Sequence, residues 1–194
     1  MPVPTRLEAA AIVRELSPNE KLLRHSTAVA ETAAFLAAAM TRRGIALDPT
    51  LVETAALLHD LDKMLPADDP LKQLGHGAAG AEWLRRRGHG ELSAAVANHP
   101  VMEIGEAASY ETWANEAGLP GRVVAYADKR ARQRIITVDQ RFARWHDQYP
   151  DSPRLDLAHE RARQLEQEMC ALAGIKPTAV TRKAWVAEAL RGAR

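Results

Sequence analysis

Cysteine is almost absent from this chain of 194 residues, where Cys170 stands alone. A single thiol cannot form an internal disulfide, and it excludes a zinc site built from several cysteines. Long apolar runs are missing too, since the most apolar stretch, 32–41, lies between Glu31 and Arg42 and is too short to span a bilayer. The first fifteen residues carry charged side chains and lack the apolar segment of a secretory signal. We therefore expect a reduced, cytoplasmic protein with no membrane partner.

The chain also lacks a large excess of positive or negative charge. Lys and Arg number 26 and Asp and Glu number 25, which leaves a formal charge of +1. This balance argues against a protein that holds nucleic acid by its overall charge, so we expect no nucleic-acid partner. Val and Ile are scarce, at 11 and 6, whereas Ala and Leu number 37 and 21. Because Ala and Leu favour helix while Val and Ile favour sheet, the composition predicts an all-α protein.

Turn residues divide the chain into predicted helices. Ser17 is the expected N-cap of a long helix that ends near Arg43, and 67–75 is expected to be a loop. The weakly patterned stretch 101–118 is expected to hold a short helix within a long connection, and the last helix is expected over 177–190. We predict one helical domain over 1–194, with a core at about 20–135 and a C-terminal helical extension at about 137–194.

Several histidines fall on the apolar faces of these helices. His25 begins a stripe at helical spacing that contains Val29, Ala33, Leu36 and Met40. The same reasoning places four further polar residues on apolar faces: His59, His76, His99 and Asp128. Asp60 directly follows His59. Burying so many polar side chains is costly unless they satisfy one another. A divalent metal ion does so, because it binds neutral imidazole and ionised carboxylate together.

The order of these residues is specific. It runs His25, then Ala-Leu-Leu-His59-Asp60-Leu-Asp-Lys63, His76 in Gly-His-Gly, His99 in Ala-Asn-His-Pro, and Asp128 in Tyr-Ala-Asp-Lys. This pattern, over roughly 20–135, resembles the HD-domain superfamily of metal-dependent phosphohydrolases. The resemblance implies an all-α, HD-domain-like helical bundle that holds metal between its core helices.

The resemblance also implies roles for single residues. His25, His59, Asp60 and Asp128 would hold a first metal ion, and His76 and His99 would complete a second site in which Asp60 bridges. Asp60 and Lys63 are therefore the catalytic candidates. Lys63 is also expected to meet a substrate phosphate, and Arg134 is the first choice among the arginines that could do so. Mixed imidazole and carboxylate ligands suit one or two ions of Fe, Mn, Co, Ni or Zn better than Mg alone.

The expected function is hydrolysis of a phosphate ester or anhydride in a nucleotide or another small phosphorylated metabolite, by a metal-activated water. Two alternatives remain open, a non-catalytic sensor that binds metal and nucleotide, and a di-iron oxygenase on the same scaffold. The sequence also leaves open whether the protein forms a homodimer.

Four other residues are expected to stand apart from the ligand set. His146, in a second His-Asp doublet, lacks an apolar run before it, and His89 is expected to be exposed. His159 is expected to be a solvated residue of a charged helix. Asp62, where many HD relatives have Gly or Ala, is expected to face solvent without touching the ligands; the alternative is that it adds a carboxylate near the site.

Overall fold

The computed structural model describes residues 3–193 and consists mainly of α-helices. They are, in chain order, α1 (Arg6–Leu16), α2 (Glu20–Arg42), α3 (Pro49–Leu58), α4 (Leu61–Met64), α5 (Ala78–Arg86), α6 (Ser93–Ala97), α7 (Val101–Glu106), α8 (Tyr110–Arg130), α9 (Val138–Gln148), α10 (Pro153–Ala173) and α11 (Val186–Gly192). Short 3₁₀ helices lie at Pro70–Leu74, Gly90–Leu92 and Pro177–Ala179. Residues 3–193 contain no β-strand beyond an isolated bridge between Ala131 and Ile135. The predicted all-α bundle is confirmed.

Helix α2 lies at the centre of the bundle and packs against α3, α8 and α10. Its buried face consists largely of small side chains, so neighbouring helices approach closely: Ala28, Ala30, Ala33, Ala34 and Ala37. The C-terminal helices complete the core, since α10 packs against α7, α8 and α9, and α11 packs against α1. No helix within residues 3–193 is long and apolar enough to cross a membrane.

Several predicted boundaries are wrong. Ser17 adopts a left-handed conformation (φ 46°) and ends α1 by donating its backbone N–H to the carbonyl of Val13, so it cannot open the next helix. Asn19 caps α2 instead, where its side chain accepts a hydrogen bond from the backbone N–H of Leu22. The expected loop 67–75 contains a 3₁₀ helix.

The connection before Asp128 is more helical than expected. It contains α7 and the first half of α8, which is interrupted at Gly118 (φ 61°) just before Pro120. The last predicted helix, 177–190, divides into a 3₁₀ turn and the shorter α11. A tertiary contact explains why the helix is divided. Between the two parts, Lys183 donates its backbone N–H to the carbonyl of Glu31 instead of to a carbonyl of its own helix, and this contact cannot be predicted from local sequence.

Candidate metal centre

The six predicted metal ligands come from five separate segments and meet in one place. His25 lies in the second turn of α2, and His59 and Asp60 link α3 to α4. His76 lies two residues before α5, and His99 lies two residues after α6. Asp128 lies in the last turn of α8. The structure therefore brings together residues up to 103 positions apart (128 − 25).

One half of the cluster surrounds Oδ2 of Asp60. The Nε2 atoms of His25 and His59 each lie 3.5 Å from this oxygen and 3.2 Å from each other. Oδ1 of Asp128 lies 3.2 Å from Nε2 of His25 and 3.9 Å from Nε2 of His59. Ligands that bind one ion at about 2.0–2.2 Å lie about 3–3.5 Å from one another, so these four atoms nearly match that spacing.

The other half surrounds Oδ1 of the same carboxylate. The Nε2 atoms of His76 and His99 each lie 3.6 Å from this oxygen. The ammonium of Lys63 donates a hydrogen bond to it at 2.7 Å. Asp60 thus presents one oxygen to each pair of imidazoles, which is the arrangement that a bridging carboxylate needs.

Backbone carbonyls orient the buried imidazoles. Nδ1 of His59 donates to the carbonyl of Ala56 at 2.7 Å, and Nδ1 of His99 donates to that of Val96 at 2.6 Å. Nδ1 of His25 likewise contacts a carbonyl, that of Arg132, at 3.0 Å. With Nδ1 protonated, each Nε2 carries a lone pair that points into the cluster, as in the histidine ligands of metalloproteins.

Burial keeps the imidazoles of His59 and His99 neutral. His59 and His99 are fully buried, and burial lowers the pKa of His59 to about 3 and lowers the pKa of His99. Burial by itself would raise the pKa of Asp60, but neighbouring His59 and His99 and the Lys63 ammonium outweigh it and hold that pKa well below its usual range. The cluster therefore offers neutral imidazole and ionised carboxylate at neutral pH, the protonation states that bind metal.

Two cations that the sequence analysis did not assign to the site flank Asp128. Lys129 is fully buried, and its ammonium donates to Oδ2 of Asp128 at 3.1 Å and also to the carbonyl of His99. Nη2 of Arg141, on α9, donates to Oδ1 of Asp128 at 3.1 Å. Burial raises the pKa of Asp128, but these two charges outweigh it and hold the pKa well below its usual range. For Arg141, the sequence offered one sign of a role: its spacing from Trp145, four residues on, places the two side chains together on one face of a helix. Both residues lie outside the recognised motif.

The interpretation of His76 and Asp62 needs correction. The side chain of His76 is 37% exposed, so it does not lie on a buried helix face. Asp62 does not face solvent, since only 8% of it is exposed and its carboxylate accepts a hydrogen bond from Nδ1 of His76 at 3.0 Å. The hydrogen bond from the imidazole replaces part of the hydration that the carboxylate loses on burial. Asp62 therefore has the position of an outer partner that orients a histidine ligand.

The predicted phosphate-binding residues differ in their placement. Lys63 borders the cluster through its bond to Asp60. Arg134 is exposed, and the opening that leads to His25 and Asp60 is lined by Arg132 and Arg141 instead. A tight turn explains the difference, since the backbone N–H of Arg132 donates to the carbonyl of Arg134 at 3.0 Å.

The three remaining histidines lie outside the cluster. Nε2 of His159 contacts Asp139 at 2.9 Å and its ring stacks on Phe142, so the expectation of a solvated residue is wrong. His89 is half-buried rather than exposed. His146 pairs loosely with Asp156 at 3.6 Å.

Comparison with known proteins identifies the family. The family model described as HD domain matches residues 22–133, which is more than half of the chain. The chain belongs to the HD domain family. An uncharacterised protein of Methanocaldococcus jannaschii is 33% identical over 131 residues, which cover 62% of this chain and 72% of that protein. No solved structure matches the chain significantly.

Ribonuclease Y is a second kind of relative. The protein of that name from Chlorobium luteolum is 28% identical over an alignment that covers 88% of this chain and 36% of the relative. The corresponding protein of Chlorobium phaeobacteroides is 27% identical, with 78% and 32% covered. The chain therefore spans about a third of the length of these relatives.

The HD residues fit a divalent metal ion. Three sets of side chains present ligand atoms within 4.8 Å of one another: His25, His59 and Asp128; His59, Asp60 and His99; and Asp60, Asp62 and His76. Nε2 of His99 is buried and has no hydrogen-bond partner among the described residues. Burying a ring nitrogen without a partner costs folding free energy, and a cation at the cluster would give the Nε2 lone pair of His99 a partner.

Proposed function

We propose that this HD domain protein is a metal-dependent phosphohydrolase that acts on a nucleotide or another small phosphorylated metabolite. One observation carries the proposal: the Nε2 lone pairs of two pairs of histidines converge on the two oxygens of Asp60. Membership of the HD family supports a metal-dependent hydrolase. The relatives named Ribonuclease Y support phosphate-ester hydrolysis in particular.

Two ions are accommodated by the donors present. His25, His59, Asp60 and Asp128 would hold the first, and His76 and His99 would hold the second, with Asp60 shared. The second site has fewer carboxylates, so we expect weaker binding there. Imidazole-rich ligands favour Fe, Mn, Co, Ni or Zn over Mg. Bound divalent ions supply a water of lowered pKa and polarise a phosphoryl oxygen.

The side chains around the ions organise the reaction. Hydrolysis forms a bond between the oxygen of water and phosphorus and breaks the bond between phosphorus and the leaving oxygen, which accepts a proton. Lys63 carries a mobile positive charge at the edge of the cluster, where it can move from Asp60 to a phosphoryl oxygen. Arg141 offers the same kind of charge next to Asp128. Both charges would stabilise the additional negative charge of the transition state.

The test combines metal analysis with a phosphate-release screen over nucleotides. We expect chelation to abolish hydrolysis and Mn²⁺ or Co²⁺ to restore it better than Mg²⁺. Asp60→Asn should lower the rate by more than about 100-fold, because even the outer partners of metal ligands contribute about 10–100-fold. His146→Ala, which removes a histidine outside the cluster, is the matched control and should keep the activity of the parent.

Three outcomes contradict the proposal. Full activity after exhaustive chelation excludes a metal-dependent mechanism. A metal-loaded protein that binds nucleotides without turnover is a sensor module. Oxygen consumption by the iron-loaded protein, without phosphate release, identifies an oxygenase.

A further inference from the structure

Two cavities of different character adjoin along α9, and the larger one reaches His76 and Asp128 of the metal cluster. One has a volume of about 900 Å³ and an apolar and aromatic wall that includes Val101, Met102, Trp145, Tyr149 and Leu155. The other, a basic groove of about 420 Å³, is lined by Lys21, Arg132, Arg141 and Arg144. Arg141 belongs to the lining of both. A ligand at the cluster can therefore reach an apolar surface on one side and a cationic surface on the other.

A third opening joins the two cavities to the cluster. It has a volume of about 390 Å³, and His25, Asp60 and Lys63 form part of its wall. It shares Lys21, Arg132 and Arg141 with the basic groove, and it shares Lys63 and Arg141 with the aromatic cavity. The three spaces therefore adjoin one another, and Arg141 lines all three.

Arg141 pairs with Asp128, but the other three cations of the basic groove lack internal partners. Lys21, Arg132 and Arg144 form no ion pair with any carboxylate of residues 3–193, and Asp147 is the acidic member of the lining. Burial and the charges of Arg144, Arg141 and Arg134 lower the pKa of Arg132. Like charges held together in one groove repel one another, so an anion bound among them is stabilised.

Arg141 connects the groove to the cluster. Its Nη2 contacts Asp128, and its guanidinium carbon lies 4.5 Å from the ring centre of Trp145. Its Nε is buried without a hydrogen-bond partner in the described part of the chain. The fork of a guanidinium suits phosphate oxygens, and the indole beside it offers a surface on which a base can stack.

We propose that the site takes a nucleoside that carries at least two phosphates. The first phosphate lies at the histidine–aspartate cluster, the nucleoside lies in the aromatic cavity beside Trp145, and the second phosphate lies in the basic groove near Arg132 and Arg144. This proposal rests on the proposed function and specifies its substrate class. Arg141, Arg144 and Trp145 all belong to α9, which lies outside the matched HD region 22–133. Substrate choice is therefore carried by the C-terminal extension.

The experiment measures binding by the metal-loaded protein. The ligands are cleavage-resistant analogues of AMP, of ADP and of 5′-phosphorylated diadenylate, with thiophosphate or methylene groups at the scissile positions. We expect at least one of the two ligands with a second phosphate to bind about tenfold more tightly than the AMP analogue, because the second phosphate gains charge-assisted hydrogen bonds in the groove. A gain for the ADP analogue alone assigns a nucleoside polyphosphate, and a gain for the dinucleotide alone assigns a phosphodiester chain.

Arg144→Ala tests the groove, since this exposed side chain can be removed without opening the core. It should abolish the tenfold gain and change the affinity for the AMP analogue by less than about twofold. It should also reduce the dependence of the ligand affinity on salt. Arg191→Ala, at the exposed end of α11, removes the same charge far from the groove and should change nothing.

Equal affinities for all three ligands, unaffected by Arg144→Ala, overturn the phosphate subsite and leave the proposed hydrolysis standing. If no nucleotide is hydrolysed but the Arg144-dependent gain remains, the hydrolytic proposal fails and the subsite stands.

Discussion

At the scale of single residues, the pair of Asp62 and His76 is the most informative. His76 is the most exposed of the six candidate ligands, and its ring is oriented by a carboxylate rather than by a backbone carbonyl. An ionised carboxylate makes the imidazole a stronger ligand and fixes Nδ1 as the protonated atom. The neighbouring His76 imidazole outweighs the effect of burial and lowers the pKa of Asp62, so the carboxylate remains ionised at neutral pH. Asp62 is therefore expected to support the second ion specifically.

The substitution Asp62→Asn tests this role. We expect it to weaken the second metal equivalent by about 10–100-fold and to leave the first equivalent unchanged, because an amide orients His76 less firmly. Metal titration followed by elemental analysis measures both equivalents. Asp68→Asn, at an exposed position in the following loop, is the control. Equal loss of both equivalents would show that Asp62 acts on the whole cluster instead.

At the scale of the elements, two loops bring His76 and His99 together. Gly77 has a positive φ of 81°, and a Cβ there would lie 2.8 Å from Cγ of Pro100 and 2.9 Å from the carbonyl oxygen of Ala97. The loop before α5 thus lies directly on the loop after α6, and the two imidazole centres are 4.7 Å apart. The second half of the cluster depends on this close approach.

Gly77→Ala and Gly75→Ala make a matched pair, since both glycines have a positive φ but a Cβ at Gly75 meets nothing within 4 Å. We expect Gly75→Ala to cost only the conformational penalty of its backbone (φ 86°, ψ 174°), about 1–3 kcal/mol. Gly77→Ala should cost more and should also weaken the second metal equivalent, because the loops must separate. Urea unfolding and metal titration of both variants measure the difference. Similar results for the pair would mean that the loop contact is not needed.

At the scale of the whole molecule, the buried histidines link folding to pH. His59 has a pKa of about 3 in the folded chain, compared with 6.5 as the ordinary value. Between these values the unfolded chain binds a proton at this residue and the folded chain does not. Unfolding therefore takes up protons, and the free energy of unfolding falls as the pH falls from 6.5 towards 3.

Urea unfolding of the metal-free protein from pH 7 to pH 4.5 should show this loss. His59 is expected to contribute about 1.4 kcal/mol per pH unit, and His99, whose pKa is also lowered, adds to the slope. His59→Gln should remove its share of the slope, whereas His146→Gln should keep the slope of the parent. A slope that is the same in the parent and in His59→Gln would contradict the linkage.

The sequence by itself determined the helical class, the family and the order of the candidate ligands. Helix caps are local properties, so Asp48 and Pro49 mark the start of α3 in the sequence itself. The HD motif is a linear order, so it could be recognised without contacts.

Only the tertiary structure decided which neighbours those ligands have. Asp62 turns towards His76, and α9 carries Arg141 to Asp128, through contacts between residues 14 and 13 positions apart. Neither contact follows from helical periodicity, because each depends on how one element packs on another. For the same reason, the basic groove brings Lys21 of α2 next to Arg132 and Arg144 although the whole chain carries a formal charge of only +1. Charge that is balanced along a sequence can be concentrated at one site when distant segments fold together.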